Sequence, residues 1–143
     1  MSMDVFVAFS GQLPSIAEFE TEMARIGFPV VVDKGMASLE EADGYVPMMQ
    51  GEEESGVELY LWPLSVEPNY FEWVEGATID PALDRVAQFT FGGDEMEMLC
   101  GYFSAAAISS LTGGTVADGE SGEAMDAAKA ADQAVSLKNE VGL

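Results

Sequence analysis

Three features of the chain predict an α+β fold, with a mainly antiparallel sheet of five to six strands, two helices packed on one face and a C-terminal helix. Short runs rich in Val, Phe and Tyr, separated by Gly- and Pro-marked turns, read as strands, and two of them as a hairpin. Two helical stretches interrupt these runs without alternating strictly with them, which favours antiparallel pairing. Residues 94–111 are apolar on most sides and need a sheet to cover them. At 143 residues the chain has the size of one domain and buries roughly two-thirds of its unfolded surface. One core, spanning residues 1–143, is expected.

Val5-Phe6-Val7-Ala8-Phe9, closed by Ser10-Gly11, forms the first strand. Ser15 and Glu18 have capping-box spacing, and Ile16, Phe19, Met23 and Ile26 recur at helical intervals until Gly27. This helix shows solvent Glu18, Glu20 and Glu22. Residues 29–33 give a second strand, entered through Pro29, which has no N–H to donate, so the chain opens β-α-β. Residues 34–44 read as a polar loop, with one short helical turn open between Ala37 and Ala42. Residues 44–49 and 56–62 make the hairpin around the polar linker 50–55. In its second strand Val57, Leu59 and Leu61 alternate with Glu58, Tyr60 and Trp62, and the aliphatic side is expected to be the buried one.

Residues 64–81 have no clean period and read as a long, ordered loop. Residues 85–91 are a further strand closed by Gly92-Gly93, and residues 94–111 the central helix, ended by Thr112-Gly113-Gly114. Asp94, Glu95 and Glu97 in its first turn favour the helix dipole. Residues 115–118 form a last strand, and residues 123–140 an alanine-rich helix whose thin apolar side suggests light docking. The order β-α-β-β-β-β-α-β-α has ferredoxin-like character.

Charge narrows the function. The net charge is -21, yet the chain is 48% hydrophobic, so the acidity belongs on a folded surface. From Gly35 to Ala128 the only basic residue is Arg85, against nineteen Asp or Glu. Such a surface repels phosphates, which argues against direct binding to nucleic acid or anionic lipid. Its natural complement is a basic protein, and a dense negative field raises association rates with one by about 10 to 1000-fold. Adaptation to high salt is the competing explanation of the same composition. No apolar run reaches membrane-span length and the first residues lack a basic secretion-signal region, so a cytoplasmic location is expected. The lone Cys100 lies in an apolar helical run and reads as a small buried core residue.

The chain has no histidine, which removes Ser-His-Asp and Cys-His catalysis and histidine-assisted zinc chemistry. No phosphate-cradling glycine motif is present. Glu52-Glu53-Glu54 and Asp118-Gly119-Glu120 are the densest acidic clusters, and neither has calcium-loop spacing. The expectation is a non-enzyme without cofactor or metal. Recognition anchors are a better fit: Tyr60, Trp62, Tyr70 and Trp73 lie within fourteen residues and are threaded with Glu58, Glu67, Glu72 and Glu75. The partner-binding candidates are therefore Glu52, Glu53, Glu54, Glu58, Tyr60, Trp62, Tyr70, Glu72, Trp73 and Glu75. The alternative for the aromatic residues is that they fill a second small core beneath the long loop.

A small acidic α+β chain of this kind resembles the immunity proteins that bacteria make against secreted toxins, nuclease toxins especially. Locally, Phe89-Thr90-Phe91-Gly92-Gly93-Asp94-Glu95-Met96-Glu97, then the alanine-rich helix, Thr112-Gly113-Gly114 and Asp118, is similar to bacterial domains with such roles. The resemblance implies binding to a cognate basic toxin and occlusion of its active site, and it carries no residue-by-residue assignment. An acidic regulatory subunit, including an inhibitor that mimics nucleic acid, is the alternative.

Overall fold

Alternation of side chains across the sheet decides where each strand sits. In β1 (Met3–Phe9), Val5, Val7 and Phe9 are fully buried on one side and Phe6 and Ala8 are buried on the other, as a central strand requires. The computed structural model describes residues 2–74, 79–80 and 82–143. After β1 come α1 (Ile16–Arg25), β2 (Val31–Val32), β3 (Gly44–Gln50), β4 (Glu53–Pro63), β5 (Arg85–Phe91), α2 (Glu95–Thr112), β6 (Thr115–Asp118), β7 (Ala124–Met125) and α3 (Ala127–Glu140). The strands form one sheet in the order β2-β3-β4-β5-β1-β6-β7, every neighbouring pair antiparallel. Its centre, β4-β5-β1-β6, interleaves two β-α-β crossovers, one from β1 through α1 and one from β5 through α2. That is the ferredoxin-like arrangement, with β2 and β3 added before β4 and β7 added after β6.

Seven strands among the described residues exceed the expected five to six, because two edges are only two residues long. The second strand, expected over residues 29–33, contracts to Val31–Val32, and it lies at the far edge of the sheet instead of beside β1. Pro47 supplies the reason. Its carbonyl accepts from Asp33 N–H at 3.1 Å, but its ring nitrogen has no hydrogen to return, so the pairing stops there. The hairpin linker is also shorter than expected. Gln50 pairs with Glu53 around a two-residue turn with Gly51 at φ 64, which suits a tight hairpin, and Glu53, Glu54 and Ser55 belong to β4.

The main core lies on the side of β1 that carries Val5, Val7 and Phe9. It joins Val57 and Leu59 of β4 and Phe89 and Phe91 of β5 to Phe19 and Met23 of α1 and to Ala130 and Ala134 of α3. On this face α2 is buried from Leu99 to Ser109, with Phe103 stacked on Phe28 at 4.7 Å. The capping box at Ser15 forms as its spacing predicts. The C-terminal helix departs from expectation twice: it starts at Ala127, after β7, and it docks closely, with Ala134 fully buried and Lys138 donating to the Gly27 carbonyl at 2.7 Å. Residues 39–41 form one 3-10 turn.

Candidate binding face

The sheet face away from the helices carries most of the candidates. Strand register arranges it in rows. Tyr45, Glu58, Thr90 and Asp4 lie side by side across β3, β4, β5 and β1, followed by Tyr60, Gln88, Phe6 and Ala117, then by Trp62, Val86, Ala8 and Thr115. Toward the hairpin tip a further row holds Val31, Met49 and Glu54. No position in these rows is Lys or Arg. Arg85 projects to the opposite side, over the Phe9 ring at 4.9 Å, and binds Glu40. Arg25 is bound by Glu22, Lys129 by Glu123 and Lys138 by the Gly27 carbonyl.

Hydrogen bonds hold the polar part of this face. The Trp62 indole N–H donates to Gln88 Oε1 at 3.2 Å, Gln88 Nε2 donates to Asp4 Oδ1 at 3.2 Å, and the Thr90 hydroxyl donates to the same oxygen at 2.5 Å. Beside them the Tyr60 hydroxyl donates to Glu58 Oε1 at 2.5 Å, which raises the Tyr60 phenol above its ordinary range. Carboxylates held this way keep a fixed geometry at lower entropic cost than free side chains. The Tyr45 ring occupies the space beside Gly56 where a side chain would stand: an added Cβ would lie 2.8 Å from its Cζ.

At one end of the face the segment after β4 folds back as two 3-10 turns, Leu64–Val66 and Tyr70–Trp73. Tyr70, Phe71 and Trp73 converge on Phe6 with ring centroids at 5.4, 5.8 and 5.8 Å, and Trp62 meets Tyr70 edge-on at 5.0 Å. Phe6, Val86 and Ala117 are the floor of this second small core. Residues 64–74 therefore form a cover, and Trp62 and Tyr70 are half-buried beneath and within it. Trp73 keeps an exposed edge, at 38%. Burial, with Asp4 and Glu67 nearby, raises the Tyr70 phenol.

The sequence candidates thus divide. Glu54, Glu58, Tyr60, Trp62, Tyr70 and Trp73 share the outer face, and Glu72 is exposed on the covering turn. Glu52 is at the hairpin tip. Glu53, one residue from Glu54, points to the other side of β4. Glu75 lies outside the described residues. Sequence reasoning missed Asp4, Gln88, Thr90 and Tyr45. Gln88 and Thr90 alternate with Ala87, Phe89 and Phe91, a period-2 signal that becomes legible as a face once β5 is paired with β1 and β4.

Two other groups attract attention chemically. Cys100 is fully buried, and burial pushes its thiol up to about 11, so it stays protonated and unreactive near neutral pH. Asp118, part of a dense acidic cluster in the sequence, is 1% exposed and lies beneath α2 and α3. Among the described residues no group of three or more His, Cys, Asp or Glu is placed to hold a metal ion, and no helix is long and apolar enough to cross a membrane. Comparison of the chain with protein-family models, with curated proteins and with solved structures finds no match in any of the three.

Proposed function

We propose that this chain is an immunity-type inhibitor that binds a basic protein, a cognate toxin of nuclease type, and occludes its active site with the outer sheet face. The observation that carries this reading is the segregation of charge: the rows of that face hold Asp4, Glu54 and Glu58 without a Lys or Arg, while four of the chain's five cations are bound elsewhere. Tyr45 and Trp73 add exposed aromatic surface on which Arg or Lys side chains stack favourably. In this mechanism the carboxylates stand where the substrate phosphates of the toxin would lie, and the field of the whole molecule accelerates capture.

The test is affinity capture of the tagged chain from its native cells at low salt, followed by elution at rising salt. A stoichiometric basic protein released by salt is the expected result. Glu54→Gln with Glu58→Gln should then slow association several-fold and flatten its salt dependence, with the chain still folded. Capture of no partner at any salt, or of one whose binding ignores salt, would overturn the proposal.

A further inference from the structure

The outer face is sealed at one end by the aromatic cover and open at the other. At the open end β2 leaves β3 after two residues because Pro47 offers no N–H, and a cleft of about 190 Å³ remains there. This is about six waters' worth of space, enough for one long side chain. Val31, Pro47 and Met49 are its apolar lining, with Val31 52% and Met49 36% exposed. Asp33 and Glu54 bring carboxylates to the same cleft, and Lys34 brings the one cation.

Building on the function proposed above, we propose that this cleft receives an arginine side chain of the partner. The chemistry selects arginine over the alternatives. Apolar side chains would use the lining but gain nothing from the carboxylates of Glu54 and of Asp33, whose Oδ1 accepts from Gly35 N–H at 3.4 Å. A lysine ammonium is a compact, strongly hydrated charge that loses more on entering apolar surroundings than the weakly hydrated, planar guanidinium. The guanidinium lies flat against Pro47 and the adaptable Met49 thioether while its N–H fork reaches two carboxylates. Glu52, at the neighbouring hairpin tip, extends the attraction to flanking basic residues. A second copy of this chain is a poor occupant, because each copy carries a net charge of -21 and has its two arginines bound to Glu22 and Glu40.

The experiment is an NMR titration of the full ¹⁵N-labelled chain at low salt with the capped tripeptide acetyl-Gly-Arg-Gly-amide, compared with its norleucine counterpart. The arginine peptide should shift the amides of Val31, Val32, Asp33, Lys34, Met49 and Glu54, and norleucine should shift them at least threefold less. Val31→Ser and Glu54→Gln, both at exposed positions, should weaken binding threefold or more, whereas Lys34→Ala, removing the competing cation, should strengthen it about twofold. Shifts confined to the rows of Asp4, Glu58 and Tyr60 would overturn the cleft assignment and leave the acidic-face reading standing. Equal response to arginine and norleucine would also overturn it. Silence toward the arginine peptide, in a chain that still captures a salt-released basic protein, would remove the cleft alone, and silence together with failed capture would remove both proposals.

Discussion

Asp118 shows how far a residue's surroundings separate it from its type. Its Oδ1 accepts from the Tyr102 hydroxyl at 3.1 Å and from Glu120 N–H at 2.9 Å, and its Oδ2 accepts from Gln133 Nε2 at 3.0 Å, so one carboxylate ties β6 to both α2 and α3. Burial first, and then the adjacent Asp118 charge, pushes the Tyr102 phenol far up, so the hydroxyl is a permanent donor. Tyr102→Phe keeps the ring against Phe91 and removes that donor. It should destabilise the fold by about 1–3 kcal/mol in urea unfolding, and a loss well under this range would show that Glu120 and Gln133 suffice. Nothing in Asp118-Gly119-Glu120 as a string sets Asp118 apart from a solvated acid, since its partners on the two flanking helices lie 16 and 15 residues away. Gly101 was similarly silent: the Phe91 ring lies 2.5 Å from where its Cβ would be, so this small residue lets α2 approach the sheet.

Elements defined by short-range chemistry were legible, and those defined by pairing were not. The capping box at Ser15, the bounds of β5 and the burial of α2 follow from spacing and hydrophobic pattern alone. The length of β2, the hairpin turn and the membership of Glu54 in a face depend on register, which Pro47 and Gly51 settle only once the strands are paired. For the same reason Glu52, Glu53 and Glu54, contiguous in the chain, point three different ways. Long-range joints escape the sequence as well. Glu40 accepts from Arg85 Nη1 and Nη2 at 2.9 and 2.8 Å and from Leu13 N–H at 2.9 Å, fastening the turn before β3 to the start of β5. The Arg85 hydrogen bonds hold the Glu40 carboxyl below its ordinary 4.5. A carboxylate depressed in the folded state adds stability that is fully present above its unfolded value and is lost as pH falls through the folded one. The stability gap between the native chain and Glu40→Gln should therefore shrink between about pH 5 and about pH 3 in urea titrations. A gap independent of pH would mean that the joint acts through packing.

For the whole molecule the dominant quantity is the net charge of -21, with four of the five cations already bound locally. Self-repulsion opposes the compact state, and salt relieves it. Raising ionic strength from about 0.01 M to about 0.1 M shortens the screening length from about 30 Å to about 10 Å, and the melting temperature should rise by about 3 °C or more. The same salt weakens capture of a basic partner, so stability and binding should move in opposite directions. A melting temperature that falls with salt would show that the ion pairs at Glu22 and Glu40 outweigh the repulsion. Both tryptophans, Trp62 and Trp73, belong to the aromatic cover on the outer face, and the main core contains neither. Their emission therefore reports the seating of the cover, while the near-ultraviolet fine structure of the phenylalanines, six of which lie in the main core, reports the body beneath. Followed together, the two wavelengths separate an occupied or lifted face from a molecule that has come apart.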